Sequence, residues 1–541
     1  MSLQRMHILI PMDEEAIQNG ALEVKRRLNK ELFKHGVEEE VKVLETGPVG
    51  ISGRGVVLII YPDRVYYYNV TPKDTKYIVE EHIIKGKICK RVENSSDIEK
   101  RGKIVNYENI GLTRKQPRVV LDKCCIVNTF DLEEVIARGG YAALEKILEE
   151  NITPEQVIEE IKKSGLRGRG GAGFPTGLKW EFTRKAEGDE KYVICNADEG
   201  EPGTYKDRLI LEGDPHKLLE AMIIAGYAVG AKKGYIYIRG EYELSIERIN
   251  RAIEDAREMN LLGKNILETG LDFDIEVKKG AGAYVCGEET ALIESLEGKR
   301  GQPRIKPPYP VTHGLWQKPT VVNNVETLAN VPAIILKGAD WYRTLGTEKS
   351  PGTKVFTVLG DVEYPGLIEV EMGTPLREII NAYGGGVKNG KKFKAALVGG
   401  AAGVFLSEKL LDVKMDFESL KEHKAVLGSG AILVMNEDAS IVEMLFSILK
   451  FFAHESCGQC SPCRIGTRQL VEIIYRIKNG EGKAGDLEKM RHIAETMRHL
   501  SLCPLGQSVI MPVASALDNF KEEFIEKIND KKNNKKEVLY A

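Results

Sequence analysis

Four cysteines carry the most specific chemistry in the chain. Cys457, Cys460 and Cys463 stand at i, i+3 and i+6 in Glu455-Ser456-Cys457-Gly458-Gln459-Cys460-Ser461-Pro462-Cys463-Arg464, and Cys503 follows after 39 residues with Pro504 directly behind it. A cubane needs four thiolates converging on one small object, and this spacing lets a tight loop supply three of them, so the pattern is that of a [4Fe–4S] cluster. Zinc usually takes its ligands as two separated pairs and suits three evenly spaced cysteines less well. A zinc site and buried thiols at coincidental spacing are the alternatives.

A second constellation is Gly168-Arg169-Gly170-Gly171-Ala172-Gly173-Phe174-Pro175-Thr176-Gly177. Its five glycines in ten residues expose backbone N–H groups that can contact phosphate. Gly168, Gly170 and Gly173 match G-x-G-x-x-G, but that motif works only after a strand and before a helix. Here a helix-like stretch over 157–164 precedes the loop, and Pro175 and Gly177 are expected to interrupt any helix directly behind it. An ordinary dinucleotide fingerprint is therefore not expected, and a mobile surface loop is the plainer alternative. Arg167, Arg169 and Lys179 supply positive charge, while Phe174, Trp180 and Phe182 offer flat faces to an aromatic ring.

Asn196-Ala197-Asp198-Glu199-Gly200-Glu201-Pro202-Gly203-Thr204 follows directly from a strand-like run. Ligands collect at the carboxyl ends of strands in α/β sheets. The carboxylates of Asp198, Glu199 and Glu201 could bind ribose hydroxyls, the amide of a nicotinamide or flavin ring, or a divalent metal. Gly287-Glu288-Glu289 opens a helix, where acids suit the first turn and could be simple caps. Lys306-Pro307-Pro308-Tyr309-Pro310 sets a cation beside an aromatic ring, and the amides of Asn323 and Asn324 can pair with a heterocycle's donors and acceptors. Cys195 and Cys286 have no local histidine and read as packing thiols.

Several layers must position these groups, and 541 residues suggest about three or four domains. With 29% charged and 42% apolar residues the composition is that of an ordinary soluble protein. A net charge of −3 gives no reason to expect nucleic acid or an anionic membrane as partner. No apolar run reaches the roughly 18 residues of a membrane span, and the start lacks the apolar core of a secretory signal. Nine cysteines, an odd count with four in the cluster pattern, fit a reducing compartment, so a cytoplasmic location is expected.

The periodicities predict a helix over 14–34, a hairpin over 56–70 and a helix over 75–85 in a first unit, with a polar linker over 94–115. Helices over 131–150 and 153–164 follow, the second opened by Thr153-Pro154-Glu155-Gln156 as N-cap, N1 proline and N3 glutamine. Strands over 192–196, 235–238 and 273–277 alternate with helices over 215–229 and 244–259, the mark of an α/β layer. Short strands over 355–360 and 366–370 with one helix over 376–383 make a small β-rich unit. Everything from Ile441 is helical, ending in a lysine- and asparagine-rich tail over 527–536.

Taken in order, the glycine-rich loop, the 196–204 stretch, Gly287-Glu288-Glu289, Asn323-Asn324 and the four cysteines resemble the NADH- and flavin-binding subunit of respiratory complex I. They equally resemble its relatives in soluble diaphorases, NAD-linked formate dehydrogenases and multisubunit hydrogenases. The resemblance covers about residues 115–525 and implies FMN, NADH or NAD, and one [4Fe–4S] cluster in one chain. It implies that Gly168, Arg169, Gly170, Gly171 and Lys179 hold the flavin phosphate side, and that Asn196, Asp198, Gly287, Asn323 and Asn324 contact the flavin. Glu199, Glu201, Glu288 and Glu289 would shape the nicotinamide and ribose pocket, with Glu201 and Glu289 assigned to the chemistry. Phe174, Phe182 and Tyr309 match positions that stack on adenine.

The fold so implied is a multidomain α/β protein. A thioredoxin-like domain would span 1–115, the FMN- and NADH-binding α/β domain 116–338, and a ubiquitin-like β-grasp domain 339–437. A helical bundle carrying the cluster would span 438–525, with a polar tail over 526–541. Soluble relatives carry T-G-C-x-G-x-C in the first domain, whereas this chain reads Thr46-Gly47-Pro48-Val49-Gly50-Ile51-Ser52 and has only Cys89 there, so no [2Fe–2S] cluster is expected in it. The expected function is an NADH-oxidising or NAD-reducing subunit of a soluble multisubunit oxidoreductase. Hydride would pass between NADH and FMN, and single electrons would leave through the cubane. Expected partners are a thioredoxin-like [2Fe–2S] subunit and a larger iron–sulfur, hydrogenase or flavin subunit, with ferredoxin-coupled electron bifurcation within the group's range. A respiratory complex I subunit and a non-catalytic iron–sulfur scaffold are the alternatives.

Overall fold

The computed structural model describes residues 5–51, 53–63, 65–89, 105–106, 116–124, 126–128 and 130–528. Ser52, Cys125, most of the expected linker and nearly all of the polar tail lie outside the described residues. Three five-stranded sheets and a helical end make up the architecture.

The first sheet contains β1 (Met6–Pro11), β2 (Val41–Thr46), β3 (Leu58–Tyr61), β4 (Val65–Tyr67) and β5 (Val105–Asn106), in the order β2-β1-β3-β4-β5. β1 runs parallel to β2 and antiparallel to β3, and β3 and β4 form the expected hairpin, the arrangement of a thioredoxin-like sheet. The single helix expected over 14–34 is two helices, Glu14–Gln18 and Ala21–Lys34, because Gly20 takes φ +92° between them. β1 and β2 had no clear alternating signal, since Ile8 and Ile10 face one core and Leu9 faces another.

The second sheet contains β6 (Tyr192–Ala197), β7 (Lys233–Arg239), β8 (Gly263–Ile266), β9 (Leu271–Gly280) and β10 (Thr320–Asn324) in the order β10-β6-β7-β9-β8. β10, β6, β7 and β9 are mutually parallel. Alternation along β6 sends Val193, Cys195 and Ala197 into a core with the helix Pro215–Val229, and Tyr192 and Ile194 into the core of the cluster-bearing helices. The chain leaves β6 toward β7 on one side while β10 lies on the other. Such a reversal opens a crevice at the strands' carboxyl ends.

The third sheet contains β11 (Thr353–Gly360), β12 (Gly366–Glu371), β13 (Phe393–Val398), β14 (Val404–Ser407) and β15 (Ala431–Asn436), ordered β12-β11-β15-β13-β14. Only β11 and β15 are parallel, which is the β-grasp order. Helices Ile441–Glu455, Ser461–Lys478, Asp486–Leu500 and Ile510–Asn519 follow. No helix among the described residues is long and apolar enough to cross a membrane.

Two further helix expectations are corrected. The stretch over 131–150 is two helices, Leu132–Ala137 and Ala142–Glu149, divided at Gly139 with φ +79°. The glycine-rich loop is followed at once by the helix Thr176–Lys185. Pro175 stands at its N-cap, where a missing N–H costs nothing. Gly177 lies within the helix because a Cβ there would come 2.6 Å from the backbone N of Lys162 on the helix Pro154–Ser164.

Candidate functional site

The ends of β6 and β10 lie side by side, pairing Asn196 with Asn324 and Cys195 with Asn323. The glycine-rich loop is pinched at its base by a bridge between Arg167 and Pro175 and by the Gly168 N–H donating to the Phe174 carbonyl at 2.9 Å. Gly170 approaches Asn324 so closely that a Cβ would lie 2.9 Å from the asparagine's own. Loop and strand ends therefore share one crevice.

Each amide in that crevice is oriented by the protein. Asn196 Nδ2 donates to the Gly287 carbonyl at 2.8 Å, and its Oδ1 accepts from the Asp198 N–H. Asn323 Oδ1 accepts from Trp180 Nε1 at 2.8 Å. Trp180 is fully buried, so it supports Asn323 and offers no face to a ligand. Asn324 Nδ2 donates to Asp207 at 2.6 Å, and Asn324 Oδ1 accepts from Lys206 and caps the helix Val325–Ala329.

The charged residues divide into two groups. Arg169 is buried, its guanidinium donates to the Thr353, Pro351 and Arg167 carbonyls, and its backbone N–H donates to Thr327 Oγ1 at 2.8 Å, so it braces the loop and offers no donor to a ligand. Glu199 accepts the N–H groups of Asp207 and Arg208 and the Tyr242 hydroxyl, which ties its carboxylate to the helix Lys206–Gly213. Burial pushes Glu199 up to about 7. By contrast, Lys179, Glu289, Lys306 and Glu288 form a chain of ion pairs along the crevice at 2.9, 3.2 and 2.7 Å. Burial would raise Glu289, but the ammonium groups of Lys179 and Lys306 outweigh it and hold the carboxyl below its ordinary value. Glu288 also caps the helix Glu289–Leu296.

Asp198 Oδ2 is buried and has no hydrogen-bond partner in the protein, and burial pushes its carboxyl up to about 7. An orphaned acceptor in the crevice suits a ligand hydroxyl or N–H. Glu201 accepts from the Tyr284 hydroxyl at 2.7 Å and from the Ala401 N–H, and burial raises it to about 7. Phe174, Phe182 and Tyr309 keep 46%, 47% and 55% of their surface exposed. Lys206, Asp207, Tyr284 and Ala401 were not singled out from sequence; only the lysine–aspartate pair opening the apolar run 209–211 carried a signal.

Cys457, Cys460, Cys463 and Cys503 line one cavity, with Val285, Pro303, Leu502 and Leu505 completing an apolar wall. Cys460 and Cys503 stand at the N-caps of Ser461–Lys478 and Pro504–Ser508, which brings the loop and the remote residue to one place. Among the described residues no group of His, Cys, Asp or Glu side chains closes to single-ion geometry. Four thiols spaced around a cavity instead suit a larger object, and an iron–sulfur cube fits that donor set. Burial pushes the Cys503 thiol up to about 11, a penalty that ligation to iron would offset.

A crevice for a flavin and nucleotide beside a four-thiol cavity defines the class of flavin- and iron–sulfur-dependent oxidoreductases. Residues 161–333 match the family described as Nuo51 FMN-binding domain, 355–404 the SLBB domain, and 443–527 the NADH-ubiquinone oxidoreductase-F iron–sulfur binding region. The NADP-reducing hydrogenase subunit HndC of Solidesulfovibrio fructosivorans is 51% identical over 77% of this chain and 85% of its own. The NADH-quinone oxidoreductase F subunit of Aquifex aeolicus is 50% identical over 73% of this chain and 90% of its own. An NAD+-reducing [NiFe]-hydrogenase structure aligns with a TM-score of 0.69 at 33% identity, covering 98% of this chain and 85% of that one. The chain belongs to the family of NADH-quinone oxidoreductase F subunits, oxidoreductases with an FMN-binding domain and a 4Fe–4S-binding region.

Proposed function

We propose that the chain is the NADH-oxidising flavoprotein subunit of a soluble, cytoplasmic multisubunit oxidoreductase. In this reading a hydride passes between NADH and FMN, and single electrons pass through one [4Fe–4S] cluster to partner subunits. The observation that carries it is the turn Tyr284–Gly287, whose Val285 lines the cysteine cavity while the Gly287 carbonyl orients Asn196 in the crevice. Three residues thus connect the two sites. FMN, when bound, supplies the conversion from two-electron to one-electron transfer.

The protein's part is orientation. The Gly168 N–H is taken by the Phe174 carbonyl, so the N–H groups of Gly170 and Gly171, with Lys179, take the phosphate side, and the amides of Asn196, Asn323 and Asn324 with Asp198 grip the flavin. Glu201, Glu288 and Glu289 line the nicotinamide and ribose side, and the exposed rings of Phe174, Phe182 and Tyr309 take adenine. The proposed boundaries are 1–115, 116–338, 339–437 and 438–525, each holding one sheet or the helical end.

Anaerobic protein should show flavin and thiolate–iron absorbance, roughly near 400 nm for the latter, that NADH bleaches. Glu201→Gln and Glu289→Gln should slow NADH oxidation with the cluster absorbance intact, and wild-type kinetics in both would defeat the pocket assignment. The hydrogenase relatives favour a hydrogenase-type partner, and a thioredoxin-like [2Fe–2S] subunit is the second partner this reading expects. The quinone-oxidoreductase relatives favour a respiratory complex, and mass spectrometry of co-purifying subunits separates the two. If the complex bifurcates electrons, its NADH turnover will require ferredoxin together with the second acceptor.

A further inference from the structure

The turn between β13 and β14 reaches out of the β-grasp sheet and meets Glu201. The Ala401 N–H donates to Glu201 Oε1, while the Tyr284 hydroxyl holds Oε2 from the opposite side. Gly400 sits at φ +77°, and a Cβ there would come 2.3 Å from Glu201 Oε1, so the turn backbone lies flat against the carboxylate. A second β-grasp turn reinforces the contact: Ser429 Oγ pairs with Thr204 Oγ1 at 2.8 Å, and Gly428 lies against Gly399. Burial raises the Glu201 carboxyl and these two donors lower it, so the turn influences both where the group stands and how it titrates.

We propose that the β-grasp turn over 399–403 is a working wall of the nicotinamide side, with Ala401 a positioning residue whose N–H sets Glu201 and thereby the affinity for NADH. The proposal rests on the reading of Glu201 given above. It assigns the β-grasp domain a part in nucleotide binding while leaving flavin and cluster retention to other groups.

The test compares NADH kinetics of the full chain carrying Gly400→Ala, Glu201→Ala, both, and Gly390→Ala. Gly390 is the strain control, because it lies in the same domain at φ +66° with nothing within 4 Å of an added Cβ. Gly400→Ala should raise KM for NADH about tenfold or more, the scale of a hydrogen bond to a charged group, with kcat, flavin and cluster absorbance little changed. Gly390→Ala should leave KM unchanged, and Gly400→Ala should have no further effect once Glu201 is alanine. An equal effect in both backgrounds, or none in either, overturns the proposal and leaves the Glu201 reading standing. An unchanged KM in Glu201→Ala itself removes that reading and the proposal with it. Should Gly400→Ala fail to fold, hydrogen exchange decides: the Ala401 amide must exchange faster in Glu201→Ala than in wild type, and equal rates overturn the proposal.

Discussion

Lys354 and Glu326 form an ion pair at 2.6 Å with neither side chain exposed, joining the first strand of the β-grasp sheet to the helix directly behind Asn324. Glu326 also meets Lys206 at 3.1 Å and accepts the Val355 N–H. Burial pushes Lys354 down to about 8 even with Glu326 opposing. Removing Lys354 leaves the buried Glu326 carboxylate with Lys206 and the Val355 N–H as partners. Lys354→Met is therefore expected to destabilise the chain by about 1–3 kcal/mol, the cost of one lost charge-assisted hydrogen bond. Lys354→Met with Glu326→Leu should be less stable still, because Lys206 and the Val355 N–H then lose the carboxylate too. Both are read as melting temperature by circular dichroism, and an unshifted melt for Lys354→Met alone would refute the pair's role.

Asp198 makes a prediction whose sign depends on pH. Burial raises its carboxyl from 3.8 to about 7, so across that window the folded chain keeps a proton the unfolded chain has lost. Stability from this group is then present at low pH and falls as pH rises toward 7. Flavin-free Asp198→Asn should match wild type near pH 4 and exceed it at pH 8 in urea denaturation. The opposite order would show that Asp198 is ionised and satisfied in the folded state.

Glu201, raised to about 7, should impose an ionisation near that value on KM for NADH. The oxidised nicotinamide ring is cationic, so the carboxylate form above pH 7 should strengthen product inhibition by NAD+. Both effects should vanish in Glu201→Gln, and a pH profile identical to wild type in that variant would exclude Glu201 as their source.

Cys503→Ser tests the route out of the flavin site. Among the described residues no fifth thiol lines its cavity, so cluster absorbance and iron should be lost. Flavin reduction by NADH should persist, while transfer to partner subunits drops to background. Undiminished transfer would mean that electrons bypass the cysteine cavity.

Phe182 and Tyr309 are exposed enough to be removed without touching a core. Alanine at either should raise KM for NADH about fivefold, the worth of roughly 1 kcal/mol of stacking. Thermal stability should change by no more than about 0.5 kcal/mol. Equal losses of KM and stability would instead make these rings structural.

Elements written in local chemistry were legible. The capping box at Thr153 and Gln156 is present, with Pro154 in the first turn. The hairpin from Leu58 to Tyr67 and the strands β6, β7 and β9 stand where their apolar runs lie. Elements governed by distant packing were not. A helix through Gly177 looks unfavourable until the helix carrying Lys162 is seen to require a residue without a side chain. A glycine-split helix looks continuous when its apolar spacing carries across the break, as at Gly20.

The cysteine spacing, the clustered glycines and the acid-rich strand end determined which chemistries this chain could perform, because ligand type and local spacing are properties of neighbouring residues. Which groups are left to perform them was decided by the tertiary structure. Arg169 and Glu199 are consumed by carbonyls and N–H groups of other elements. Glu201, two positions from Glu199, is held by a backbone N–H 200 residues away. A buried polar atom must find a partner, and only the folded chain decides whether that partner is the protein or a ligand.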